Sequence, residues 1–136
     1  MAAATSRNLL FVLGAAAVAM SASVHLHLWV GGYSGIATIG PLFLLQAISG
    51  YLLAPAILVL ERPIVALAAA GYLLATMAGF LLSVNVGLFG FQDSWSAPWA
   101  TTAFAVEAVG VVLLLAAAAV RSSVGRSGST TSRTSP

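Results

Sequence analysis

The chain has 136 residues, of which 60% are hydrophobic and only 6% are charged, and its net charge is +2. A soluble domain carries about 25% charged residues, so this composition excludes an ordinary soluble globular protein and a disordered chain. It also excludes a nucleic-acid-binding protein, because the arginines form no basic stripe that could neutralise phosphates. The chain has no cysteine, which excludes disulfides and thiolate metal sites. An integral membrane protein is the class that remains.

Four apolar blocks of the chain are long enough to cross the hydrocarbon core of a bilayer, which takes about 20 residues. They predict transmembrane helices over residues 9–30, 41–60, 64–89 and 99–120. The connections are short, and Pro41 and Pro63 fall near block starts, where a missing N–H is tolerated. We therefore predict an all-α fold, an integral membrane four-helix bundle with up-and-down topology.

The arginines predict the orientation of this bundle, because four spans place all of them on one side. They are Arg7, Arg62, Arg121, Arg126 and Arg133. By the positive-inside rule both termini are then cytoplasmic, and residues 1–8 form a cytoplasmic N-terminal segment. Residues 121–136 are rich in Ser, Thr and Gly and are predicted to be a disordered cytoplasmic tail. The absence of lysine beside abundant Ala, Gly and Arg suggests a GC-rich bacterium, so we predict a multi-pass protein of the bacterial cytoplasmic membrane.

The first block has a second interpretation, a cleavable signal peptide. Arg7, the apolar run after it and the small residues at 21–23 fit that pattern. Cleavage there would leave three spans and a new N-terminus close to His25. Because the apolar character continues through Val30, we favour an uncleaved first helix.

Strongly polar side chains are scarce in the predicted helices, and each helix carries one at a similar depth. These residues are His25, Gln46, Asn85 and Glu107. At 1.5 Å per residue, each lies about 6 to 12 Å inside the aromatic-rich ends of the blocks. Polar groups in hydrocarbon are costly and usually face the bundle interior, and small residues on the same helix faces indicate packing there. We predict that the four side chains form an outward-facing polar pocket within the membrane.

The predicted pocket has one carboxyl group, that of Glu107. A neutral Glu107 could donate a hydrogen bond to Asn85 or Gln46, whereas an ionised one could pair with His25. Such a pocket could hold a small ligand, a quinone head group or a metal. The alternative is that these groups only hydrogen-bond the helices together.

A metal site made of His25, His27 and Glu107 is a weaker hypothesis. The two histidines are about 200° apart around a helix, so they cannot both face one centre. We expect His25 inside the bundle and His27 near the aromatic residues or a neighbouring helix. Haem with two histidine ligands would need histidines on two helices, hence a dimer or a methionine ligand. The residues identify no cofactor.

The sequence favours a non-enzymatic binding or accessory component, because it has no Gly-x-Ser-x-Gly, P-loop or dinucleotide motif. The alternative is a metal-, haem- or quinone-binding membrane protein in redox or proton-linked chemistry. The alanine runs at 15–17 and 116–119 could dock a larger membrane complex or a second copy of the chain, or could pack internally.

One stretch of the chain resembles other proteins. The residues that carry the resemblance are His25-Leu-His-Leu-Trp29, Gly32-Tyr33, Ile39-Gly40-Pro41-Leu-Phe-Leu-Leu-Gln46, Gly87-Leu-Phe-Gly-Phe91 and Glu107. Over residues 25–112 the chain resembles a group of short four-span membrane proteins of actinobacteria. The resemblance implies a four-helix membrane fold and an actinobacterial envelope, and it implies no reaction, cofactor or partner.

Overall fold

A computed structural model describes the backbone of residues 2–129 and the side chains of residues 8–123. Within that part of the chain, the order of elements is α1 (Ala2–Val30), a short 3₁₀ helix (Tyr33–Gly35), α2 (Ile39–Leu60), α3 (Pro63–Val86) and α4 (Ala100–Ser129). Each of the four α-helices is long and apolar enough to cross a membrane. The predicted all-α four-helix membrane fold is therefore confirmed.

The helix ends differ from the predicted block ends. Helix α3 ends at Val86, three residues before the end of the predicted block, because Gly87 takes a left-handed conformation (φ 81°) and turns the chain. Helix α1 already begins at Ala2, and α4 continues to Ser129. Residues 121–129 of the predicted disordered tail are thus helical, and residues 130–136 lie outside the described part.

The connections lie at two opposite ends of the bundle. Residues 31–38 and 87–99 join α1 to α2 and α3 to α4, and we call their end the connection end. At the opposite end, α2 and α3 are joined by a turn of two residues, Glu61 and Arg62. Glu61 ends α2 in a left-handed conformation (φ 42°), and its carboxylate lies 4.0 Å from Arg121 of α4. Both side chains are about one-third exposed, so this ion pair contributes little stability.

A close-packed core fills the half of the bundle away from the connection end. Its largest buried side chains are Phe11 of α1, Ile57 of α2, Leu73 of α3 and Leu114 of α4. Alanines 15, 117 and 118 are also buried in it, and Ala17 is buried as well, so four of the seven alanines in the two runs pack internally. Since lipid is as apolar as these side chains, close packing stabilises the core more than the hydrophobic effect does.

Glycines allow two of the close helix contacts. A Cβ atom on Gly110 would lie 2.8 Å from the Cβ of Ala17, and one on Gly14 would lie 2.6 Å from the side chain of Leu114. From the sequence, Gly71, Gly79 and Gly87 are expected to mark further close approaches of the third predicted helix. For Gly71 and Gly79 that expectation is wrong. A Cβ on either of them would have no neighbour within 4 Å.

The four helices do not pack equally on one another. Helix α1 makes extensive contacts with α2 and α4, and α3 makes them with α4, whereas α2 and α3 touch much less. The perimeter is apolar, with large side chains such as Leu52, Val59 and Val112 more than two-thirds exposed. In water such a surface would associate, but it suits contact with lipid. The loose junction between α2 and α3 positions the site described next.

Candidate functional site

A cavity of about 260 Å³ lies between the helices in the half of the bundle near the connection end. All four helices contribute to its lining, with α2 from Ile39 to Gln46 on one side and α3 from Ala75 to Ser83 on the other. These are the two helices that pack loosely on each other. The packed core ends where the cavity begins. The cavity is therefore a gap, near the connection end, in an otherwise filled bundle.

The bottom of the cavity carries the carboxyl group of Glu107, which is only 2% exposed. The hydroxyl of Ser21 on α1 donates a hydrogen bond to its Oε1 atom (2.7 Å). The backbone carbonyl of the same serine lies 2.8 Å from Nδ1 of His25, whose side chain is 8% exposed and also lines the cavity. Ser21 thus holds both ionisable side chains in place from one position on α1.

Among the side chains that the structure describes, one atom of each of these two groups has no hydrogen-bond partner. A carbonyl oxygen only accepts, so Nδ1 of His25 carries the hydrogen and Nε2 of the neutral ring keeps a free lone pair. Within the described residues, the bond from Ser21 is the one hydrogen bond of Glu107, which leaves Oε2 unpaired. Buried polar atoms are nearly always hydrogen-bonded, so two unpaired acceptors on the wall of one cavity call for an explanation.

A second polar group bridges α2 and α3 beside the cavity. The Gln46 side chain donates from Nε2 to the Thr76 hydroxyl, which in turn donates to the backbone carbonyl of Tyr72 (3.0 Å). The Tyr72 hydroxyl donates back to the backbone carbonyl of Gln46 (2.7 Å). These bonds join the two loosely packed helices at the level of the cavity floor.

Aromatic rings form a layer one helical turn nearer the connection end than the polar groups. Phe43 precedes Gln46 by three residues, Phe104 precedes Glu107 by three, and all of these residues line the cavity. Helix α3 runs the other way, and Phe80 there follows Thr76 by four residues. The ring of Phe43 packs on His25 (4.9 Å between centroids), and Phe80 lies 6.1 Å from Phe104. The cavity therefore has a polar floor beneath aromatic walls.

The mouth of the cavity is built from the two connections at this end. Tyr33 stacks on Phe43 and meets the edge of Phe91, and both centroid distances are below 6 Å. Burial raises the pKa of the Tyr33 hydroxyl, and the nearby Asp93 carboxylate raises it further, so this phenol stays neutral at the mouth. The buried Ser83 hydroxyl accepts a hydrogen bond from the backbone N–H of Asp93 (3.0 Å), which fixes the second connection to α3.

The cavity also has a side opening in the direction of the lipid. Leu42 and Leu45 of α2 line it and are 40% and 59% exposed on the outside of the bundle. Ala75 of α3 faces them across the junction and is likewise both lining and exposed. Lining residues of α2 and α3 thus extend from the cavity to the apolar perimeter.

The structure brings together three of the four residues predicted to form the polar pocket. His25, Gln46 and Glu107 all line the cavity. Asn85 does not: it is exposed, and its amide donates to the Leu81 carbonyl of its own helix (2.7 Å). Asn85 lies in the last turn of α3, about 200° around the helix from the inward-facing Ser83, so its side chain points away from the cavity.

The second histidine points away from the cavity. His27 is exposed, and its ring lies 6.0 Å from that of Trp99. Across the side chains that the structure describes, no three His, Asp or Glu residues lie close enough to hold a metal ion together. The hypothetical ligand set of His25, His27 and Glu107 is therefore not assembled in this chain.

The aromatic walls were not predicted, although the sequence contains a signal for them. Phe43 and Phe104 each stand three residues before a polar residue of the floor, and Phe80 stands four after Thr76. Residues three or four apart share a face of a helix. Given the direction of each span, this spacing places the rings on the inward face, one turn nearer the same end of the bundle.

In comparisons with known proteins, no family model, no curated protein and no solved structure matches this chain.

Proposed function

We propose that this small membrane protein is a non-enzymatic binding protein that holds a small amphipathic molecule in the cavity between α2 and α3. The polar end of the molecule would lie at the floor, beside Glu107 and His25. Its apolar part would lie along the rings of Phe43, Phe80 and Phe104. The side opening of the cavity would let this apolar part reach the lipid. Pockets of this kind are mostly apolar, with a few polar groups that fix the orientation of the ligand.

The unpaired carboxyl oxygen of Glu107 is the observation that carries this proposal. The group is buried, it lines a cavity large enough for a small organic molecule, and its Oε2 atom has no partner in the described residues. A purely structural carboxyl would be expected to use both oxygens in bonds between helices, because an unsatisfied buried group costs about 1–3 kcal/mol. A bound ligand supplies the missing partner.

The first experiment fills the cavity from Gly79. This residue lines the cavity and has no positive φ, and an added Cβ would meet nothing within 4 Å, so Gly79→Leu introduces bulk without strain. We expect the variant to bind phenylbutanol, a neutral probe of suitable size, at least about tenfold more weakly than the wild type. Quenching of tryptophan fluorescence in maltoside micelles measures the affinity.

The matched control for that experiment is Gly71→Leu. Gly71 lies on the same helix with equally open space around it, but it is exposed and does not line the cavity. Its affinity for phenylbutanol should equal that of the wild type. The proposal fails if both leucine variants bind the probe as well as the wild type does, or if the wild type binds neither this probe nor the corresponding amine, phenylbutylamine.

We further propose that both termini lie in the cytoplasm of a bacterium, an actinobacterium as the resemblance implies, so that the cavity mouth faces outward. Because the chain has no cysteine, single cysteines report the orientation directly. Ser34→Cys in the first connection and Ser122→Cys near the end of α4 are both at exposed positions. A membrane-impermeant maleimide added to intact cells should label the first and spare the second, and the reverse pattern would invert the proposed topology.

A further inference from the structure

We infer, on the basis of the proposed function, that the ligand is a lipophilic amine that binds as its ammonium cation. Three features of the site favour this chemical class. These are the sign of the charges around the cavity, the nature of its unpaired atoms and the aromatic layer above the floor.

The charges that line the cavity are acidic. Glu107 lies at its floor and Asp93 at its mouth, and apart from His25 none of the described lining residues is basic. The two arginine side chains that the structure describes, Arg62 and Arg121, belong to the opposite end of the bundle. A buried carboxylate with no counter-charge is costly, and a cationic ligand supplies that charge at the floor.

The unpaired buried atoms select for a ligand that donates hydrogen bonds. Oε2 of Glu107 and Nε2 of His25 are both acceptors when the carboxyl is ionised and the imidazole is neutral. An ammonium group has up to three donors and no acceptor, so it is the kind of group that such acceptors bind. A quinone has only accepting carbonyls, and it would find a donor there only if Glu107 held a proton. The amide of Gln46 can serve as donor or acceptor and does not discriminate.

The aromatic layer fits the rest of such a ligand. A cation within about 6 Å of a ring face is attracted by the negative face of the ring, and the attraction grows when water is excluded. Phe43, Phe80 and Phe104 line the cavity one turn above the carboxyl, so a cation at the floor has rings on the side that leads to the mouth. The same rings accept an aromatic or alkyl body behind the ammonium group. One short molecule can therefore satisfy the floor and the walls together.

The test compares two probes of nearly the same shape, phenylbutylamine and phenylbutanol, on the whole chain in an uncharged maltoside detergent. The amine is charged at neutral pH and the alcohol is not. We expect the wild type to bind the amine at least about tenfold more tightly than the alcohol, and Glu107→Gln to bind both about equally. Binding of the alcohol by the Gln variant also demonstrates that this variant is folded.

Glu61→Gln is the matched control, because it removes a carboxylate at the opposite end of the bundle, next to Arg121. It should keep the preference for the amine. Equal binding of the two probes by the wild type would overturn the inference and leave the proposed function standing. A preference that survives in Glu107→Gln would also overturn it, because the charge read by the ligand would then lie elsewhere. Binding of neither probe would refute the proposed function itself.

Discussion

Gly110→Leu is expected to lower the free energy of unfolding by about 3 kcal/mol, because it overpacks the contact of three helices. The first added carbon would lie 2.8 Å from the Cβ of Ala17 on α1 and 2.6 Å from the Leu73 side chain on α3. Leu73 can rotate away, but the Cβ of Ala17 moves only with its backbone. The remaining carbons of the new side chain therefore have to separate α1 from α4. Denaturant titration in micelles, followed by tryptophan fluorescence, measures the loss.

Gly71→Leu makes the same chemical change on α3 at a position with no neighbour within 4 Å. Replacing a helical glycine there improves helix propensity by a few tenths of a kcal/mol up to about 1 kcal/mol, so this variant should be as stable as the wild type or more so. If both leucine variants lose stability equally, the described contact at Gly110 does not hold the bundle together.

Glu107→Leu is expected to weaken the binding of phenylbutylamine strongly while it stabilises the protein. Leucine removes a buried carboxyl with an unpaired oxygen, and such a group costs about 1–3 kcal/mol, so the free energy of unfolding should rise by an amount in that range. Affinity for the amine should fall by about two orders of magnitude, or about 2.7 kcal/mol. Calorimetric titration and the same denaturant experiment give both numbers on one sample.

Ser21→Ala is the informative partner of Glu107→Leu, because the two should change stability in opposite directions. Loss of the Ser21 hydroxyl leaves both oxygens of Glu107 unpaired and should destabilise the protein, whereas the double variant should resemble Glu107→Leu alone. A marked loss of stability in Glu107→Leu would mean that the carboxyl is a structural bond between α1 and α4. The proposed function would then lose the observation that carries it.

The span pattern was predictable because it depends on local composition. An apolar stretch of sufficient length forms a helix in lipid whatever surrounds it, since only a helix satisfies its backbone there. The start of α3 at Pro63 likewise follows from a local rule, the tolerance for proline in a first helical turn. The start of α1 and the end of α4 were harder to place, because both helices continue into polar residues outside the apolar blocks. Hydropathy marks the end of an apolar block and not the end of a helix.

The residues that line the cavity were predictable only in part. Which residues face it depends on the orientation of each helix about its own axis and on where the helix ends. The inward position of Glu107 follows from its helix face, which it shares with Ala103 and Gly110, and the structure confirms it. Asn85 lies outside the cavity because the inward face of α3 near this end carries Ser83, and the small residues on the face of Asn85 do not mark the inward one. The loose packing of α2 on α3 depends on tertiary contacts, and neither helix has a sequence feature that predicts it.

The two-residue turn at Glu61 and Arg62 joins α2 and α3 closely at one end of the bundle. At the other end each helix leads into a separate connection, and the two helices pack loosely on each other. A ligand of the proposed kind that enters between them comes from the surrounding bilayer rather than from the aqueous phase. Occupancy of the cavity would then be governed by how strongly a compound partitions into lipid, and molecules of equal intrinsic affinity would fill it in the order of their membrane concentration.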